Sequence, residues 1–349
     1  MTATRCMMIG FGALAVAALW GPPATAKDDP LFQSDTLLKI TLAGPIDDLI
    51  DARKKSKEDY DAVVTVTGDN GMPVQLKVTM RARGISRRTE FCSFPPLSIK
   101  FDKDETKGTV FKGQGRLKLA THCQPSDYYQ QLNYLEYTAY KIYNLITPVS
   151  FRVRMAEVTY EDTKGHKPIT RRGFFIEDTG DVGKRNGLKE IKIQRATISQ
   201  LDPEVTADNA LFRFMISDLD WSVLDNAGNE DCCHNGKLIG ESDTGIVKPI
   251  PYDFDLTGFV HAPYALPPEQ LPVKSVMSPY YRGFCSQNAQ VPAALKRFQA
   301  ARAAIFKLIA DSPYLDSSRK KDATKFIEKF YKVADDPKEV ERKITGHCR

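Results

Sequence analysis

Four carboxylates and an asparagine in the middle of the sequence carry the donor types that phosphoryl chemistry needs. Within Leu211 to Gly258 the chain reads LFRFMISDLDWSVLDNAGNEDCCHNGKLIGESDTGIVKPIPYDFDLTG. Asp218 and Asp220 open an acidic loop, Asn235 follows in His234-Asn235, and Asp253 and Asp255 stand in Tyr252-Asp253-Phe254-Asp255. A carboxylate that orients an attacking hydroxyl, with an amide and a second carboxylate that hold a divalent cation against phosphates, is the equipment of phosphoryl transfer. Singly, Asp253 with Asp255 is an ordinary turn cap, and Asp218 with Asp220 an ordinary helix end. Together, with Asn235 between them, they form a candidate metal–phosphate site. His122 and His234 are read as structural rather than as ligands, and no G-x-S-x-G motif supports a serine hydrolase.

Those residues need elements to hold them. LFRFMI before Asp218 reads as an apolar helix, and GKLIG and Gly245 to Pro251 read as two short strands. Upstream, Thr36–Ala43, Ala62–Thr67, Val74–Arg83, Pro96–Asp102 and Gly115–Thr121 alternate as strands, separated by Gly and Asp-Asn-Gly turns. Asp127–Ile146 has the clearest helical period, with Ser126 or Asp127 as N-cap and Pro148 beyond its end. Phe151–Tyr160 and Ile169–Ile176 read as a hairpin, Asp178–Lys189 as a polar connector, and Ala262–Pro279 as Pro-rich coil. Helices follow at Pro292–Ala310, Ser317–Tyr331 and Pro337–Ile344. Strands with one embedded helix, then a mainly helical half, predict an α+β chain of two lobes in a protein-kinase-like plan, with an N-terminal antiparallel sheet and a cleft site. The expected divisions are 1–26, a signal peptide, 27–180, a β-rich lobe, and 181–349, a helical lobe carrying the acidic loops.

Composition sets the setting. Arg5, the apolar run Met7–Trp20 and Ala24-Thr25-Ala26 have the order of a cleavable export signal; the apolar run is short for a membrane span and ends in Gly-Pro-Pro. A net charge of +5 over 349 residues, dispersed along the chain, gives no nucleic-acid footprint. Of seven cysteines, Cys6 lies in the signal; the other six are an even set, read as disulfides with fifteen pairings open. Zinc at Cys232-Cys233-His234 is disfavoured, because adjacent cysteines do not easily face one tetrahedral ion.

The run Arg81-x-Arg83-Gly84, then Ile99-Lys100-Phe101, Leu117-Lys118-Leu119, a helix, His234-Asn235 and Pro251-Tyr252-Asp253-Phe254-Asp255-Leu256-Thr257 resembles the CotH spore-coat kinase family. The chain is similar also to a group of exported bacterial proteins with D-W-S, H-N-x-K-L-I and P-Y-D-F-D in this order. The resemblance spans about Val78 to Gly258. It implies an atypical secretory-type kinase that uses ATP and Mg²⁺ or Mn²⁺ to phosphorylate a protein or cell-surface acceptor; separately, no apolar stretch beyond the signal is long enough for a membrane span, so none is expected after signal cleavage. It implies Asp220 as catalytic acid, and Asn235, Asp253 and Asp255 on the metal. Lys118 would contact ATP with Glu136 as its partner, or Lys100 in its place. Asn235 lies fifteen residues after Asp220 where an ordinary kinase loop has five, so either Leu224–Cys233 is an insertion or Asp231 is the acid. No Gly-rich loop of the G-x-G-x-x-G type occurs. A kinase-fold binding protein without turnover and a metal-dependent phosphohydrolase using the same acids are the alternatives.

Overall fold

A computed structural model describes residues 29–226 and 230–349. The expected signal peptide lies outside the described residues. In chain order the elements are β1 (Leu38–Gly44), α1 (Ile46–Ala52), β2 (Tyr60–Thr67), β3 (Pro73–Ala82), β4 (Leu97–Phe101), β5 (Arg116–Ala120) and α2 (Asp127–Ile146). Then come β6 (Val153–Asp162), β7 (Ile169–Ile176), α3 (Thr179–Arg185), β8 (Lys189–Ile191), α4 (Pro203–Ile216), β9 (Gly236–Gly240) and β10 (Val247–Pro251). Helices α5 (Val291–Ala310), α6 (Ser317–Ala334) and α7 (Pro337–Lys343) complete the set.

Strands β1 to β7 close into a barrel in the order β1-β2-β3-β4-β5-β7-β6. This corrects the expected two-lobed, kinase-like plan with an open antiparallel sheet. The closure is a parallel pairing of β1 with β6, from Leu38 opposite Ala156 to Gly44 opposite Asp162, and every other neighbour is antiparallel. Alternation in each strand supplies the barrel's filling: Ile40 and Leu42, Val64 and Val66, Val78 and Met80, Ile99, Leu117 and Leu119, Val158 and Phe175 point inward and are buried. The interior is a packed core. At Gly173 a Cβ would stand 2.5 Å from the Ala120 carbonyl oxygen, so β7 approaches β5 there only as glycine.

The second core lies outside the barrel. Helix α2 covers the outer side of β6 and β7 and packs on α5, and the Tyr140 ring lies edge-on to Phe174 at 5.8 Å and tilted against Phe254 at 4.5 Å. Helix α4 is buried on all sides from Val205 to Ile216, which is why LFRFMI has no polar face. Asp202 caps it by accepting from Val205 N–H, Pro203 fills the first position, and Ser217 ends it in the left-handed region at φ 51°. A three-stranded sheet β10-β9-β8 lies beside it. The stretch read as a connector forms α3, capped by Asp178. Three disulfides, Cys92–Cys123, Cys232–Cys233 and Cys285–Cys348, account for the six cysteines. No helix among the described residues is long and apolar enough to cross a membrane.

Candidate functional site

The acids gather where α2, the segment after β3 and the turn after β10 meet. Strands β9 and β10 pair so that Gly236 faces Pro251, and Tyr252 N–H donates to the Asn235 carbonyl at 3.1 Å. The chain then turns through Asp253, whose φ of 64° is left-handed and whose N–H donates to the Tyr140 hydroxyl at 2.9 Å. Glu136 comes in from the middle of α2. One carboxylate oxygen from each of Glu136, Asp253 and Asp255 lies within 4.8 Å of the others.

Arg87 stands among these three. It reaches Glu136 Oε2 at 2.9 Å, Asp253 Oδ1 at 2.6 Å and Asp255 Oδ2 at 3.4 Å. Burial holds the Glu136 carboxyl above its usual range against the pull of Arg87. Burial, with Asp253 and Glu136 alongside, pushes the Asp255 carboxyl up to about 7, and the Tyr264 hydroxyl donates to it at 3.2 Å. Arg87 itself is held well above its ordinary value by Asp255, Glu136 and Asp253 despite burial. Clustered carboxylates in low dielectric require a cation, and here the guanidinium is that cation.

A cavity of about 360 Å³ is linked to this cluster through Arg83 and Tyr252; Arg83, Lys118 and Lys237 are among its cations, and Asp178, Glu190 and Asp231 also line it. Arg83 donates to the Tyr252 hydroxyl, so the cavity wall and the residue before Asp253 are one bonded unit. Lys118 Nζ lies 4.8 Å from the Tyr252 ring centroid and 5.7 Å from that of Phe151. Burial, then Arg83 and Lys237, lowers its ammonium to about 8. Arg81 and Arg116, also in this wall, pair with Asp59. Arg83, Lys118 and Lys237 have no carboxylate within salt-bridge distance among the described residues.

Asp220 forms a second group. His234 Nε2 lies 3.0 Å from its Oδ1, and that bond holds Asp220 below and His234 above their ordinary values. The Asn235 amide donates to the Asp220 carbonyl at 2.6 Å and lies 3.5 Å from its Oδ2. Behind it, Arg213 is fully buried, bonded to Asp218 and to the Asn235 carbonyl. Burial raises Asp218 to about 6.

Of the residues singled out in the sequence, Asp220 with Asn235 and Asp253 with Asp255 and Glu136 come together in two adjoining groups. Lys118 lines the 360 Å³ cavity, which no member of either group lines, and does not meet Glu136, whose cation is Arg87. Lys100 is exposed on β4, opposite Thr79 and Arg116, and lines a different depression. Asp231 is exposed at the cavity rim. Arg87 and Arg83 went unassigned in the sequence; the one signal was the Arg87-Arg88 pair after Gly84, and nothing local marks which acids it meets. No protein-family model matches the chain, and no curated protein matches it.

Three carboxylates with hard oxygen donors fit a Mg²⁺ or Mn²⁺ ion in charge and donor type, provided Arg87 withdraws. Asp253, the most open of the three, and Asp255 would hold it, and such an ion would supply counter-charge to phosphate oxygens.

Proposed function

We propose that this chain is an exported phosphotransferase that moves the γ-phosphoryl group of ATP to a hydroxyl of a protein or cell-surface acceptor. The single observation that carries the reading is the cavity holding Arg83, Lys118 and Lys237 without carboxylate partners, joined through Tyr252 to the Glu136–Asp253–Asp255 cluster. Cations outnumber the acids Asp178, Glu190 and Asp231 in this lining, and an excess of cations without ion-pair contacts beside clustered acids is a charge pattern that a metal-bound polyphosphate satisfies. The three disulfides support export to an oxidising compartment. The resemblance of the His234-Asn235 and Asp253–Asp255 motifs to those of the CotH family supports the roles; the barrel does not support a kinase-like fold.

In this reading Arg83, Lys118 and Lys237 bind the phosphates, and Lys118 carries most of its charge below pH 8. Asp220, fixed by His234 and Asn235, orients the acceptor hydroxyl and takes its proton. The hydroxyl oxygen bonds to the γ-phosphorus, the bond from that phosphorus to the bridging oxygen breaks, and ADP leaves with the electron pair.

The test is a thermal-shift series with ATP, with and without Mg²⁺ or Mn²⁺, followed by transfer from labelled ATP to a mixed acceptor preparation. A shift that needs both ATP and metal, with label transferred, supports the proposal. Arg87 favours a second reading, because it neutralises the acids without a metal: a binding module for an anionic ligand. An ATP shift indifferent to metal, with no transfer, selects it.

A further inference from the structure

Beside Trp221, next to Asp220 in the chain, lies positive charge that does not line the phosphate cavity. Three guanidiniums gather on one indole: Arg213, Arg282 and Arg349 lie 4.9, 5.1 and 5.5 Å from the Trp221 ring centroid. Arg213 is buried against Asp218 and is satisfied. Arg282 and Arg349 make no ion-pair contact among the described residues, although Asp218 and Asp220 attract the first and Asp225 the second from farther off. The Arg282 side chain donates to the Leu219 carbonyl at 2.7 Å, and neither residue has a carboxylate within salt-bridge distance among the described residues. Burial, then the charge of Arg349, lowers Arg282 to about 10. Two like charges are thus held together on a surface whose indole is itself buried.

The pair is built in. Arg349 N–H donates to the Gly283 carbonyl at 2.9 Å, Cys285 N–H donates to the Arg349 carbonyl at 3.1 Å, and the Cys285–Cys348 disulfide closes the same segment. Arg349 is therefore pinned beside the residue that follows Arg282. Asp220 precedes Trp221 in the chain, and the charge of Arg282 contributes to its lowered value.

We propose that Arg282 and Arg349 form the acceptor-recognition surface and bind an acidic polypeptide segment, presenting a Ser or Thr hydroxyl beside its carboxylates to Asp220. Guanidinium forks match carboxylates in bidentate geometry, and two forks on one ring define a site two carboxylates wide. An anionic membrane is read by a broad spread of basic residues, which this pair is not. The role of Asp220 rests on the phosphotransfer reading; the binding of an acidic segment does not.

The experiment measures fluorescence anisotropy of a labelled serine peptide flanked by glutamates, and of its lysine-flanked counterpart, on the full chain without nucleotide. The acidic peptide binds, its affinity falls with added salt, and the lysine peptide does not bind. Arg349→Gln, at an exposed position, weakens binding about five- to tenfold with an unchanged melting temperature; Arg282→Gln does the same or more. Equal binding of both peptides, no binding of the acidic one, or binding only to anionic phospholipid vesicles overturns the proposal. Acidic-peptide binding lost in Arg349→Gln but accompanied by no phosphoryl transfer sinks the phosphotransfer reading and leaves this surface standing. Transfer with no preference for acidic acceptors does the reverse.

Discussion

Arg87 Nη2 and Asp253 Oδ1 lie 2.6 Å apart, and the same guanidinium also holds Glu136 from α2 and Asp255. One cation thus ties the segment after β3 to α2 and to the turn after β10. It occupies the position that a metal ion in the same cluster would compete for.

Replacing that cation tests the competition. Arg87→Met leaves three clustered carboxylates uncompensated, and breaking a buried ion pair from one side costs about 3–5 kcal/mol. The urea midpoint should fall accordingly. Mg²⁺ or Mn²⁺ should recover part of the loss in the variant while changing the wild type little. A variant as stable as wild type without metal would show that Arg87 is not the cation the acids depend on.

The two acid groups should separate by role. Asp253→Asn should abolish metal-dependent ATP binding, measured by calorimetry. Asp220→Asn should keep ATP affinity and lose about 10²–10⁴-fold in transfer rate, the usual worth of general-base action. Asp231→Asn, at the exposed rim, should be close to silent. Loss of transfer in Asp231→Asn with Asp220→Asn active would reassign the acid.

Lys118 gives the cavity a pH dependence. Its ammonium sits near 8 because of burial and then Arg83 and Lys237, so its charge, and its attraction for an anion, is full below that pH and lost as pH rises through it. Sulfate, which does not titrate in this range, should bind with constant affinity below pH 7 and progressively more weakly from pH 7 to 9. In Lys118→Met the affinity should be lower throughout and flatter. The unliganded fold has the opposite slope: between about 8 and the ordinary 10.5 the folded state holds fewer protons than the unfolded one, so this group's contribution to stability rises with pH.

The Cys285–Cys348 bridge spans 63 positions, and a loop of that size is worth about 4 kcal/mol in the chain-entropy account. The Cys285→Ser, Cys348→Ser pair should lower stability by about 2–5 kcal/mol. It should also release Arg349 from Trp221, seen as a drop in acidic-peptide affinity.

What could be read from the sequence followed from local periodicity. Asp127–Ile146 stands as α2 from its first residue to its last, and the strand runs before it became β1 to β5 within a few residues. Barrel closure could not be read, because the parallel match of Leu38 with Ala156 joins segments whose side-chain patterns suit an open sheet equally well. Asp220 with Asn235, and Asp253 with Asp255, stood out by residue type and spacing. The partner of Glu136 did not: nothing along α2 marks a residue before it, Arg87, over the lysine on the adjacent strand. Likewise Arg282 and Arg349 are far apart in sequence and meet only through the Gly283–Arg349 pairing.

The parallel seam between β1 and β6 also sets an order of events during synthesis. As the chain emerges, β1 finds β2 almost at once, Thr41 against Thr65, but its other edge stays unmatched until Ala156 to Asp162 have been made. All of β2 to β5 and α2 must appear in that interval. A nascent chain, or one cut short before β6, therefore carries an open β edge that the finished molecule never shows. Such edges invite pairing with other chains, so a chain truncated before β6 is the form most prone to aggregate.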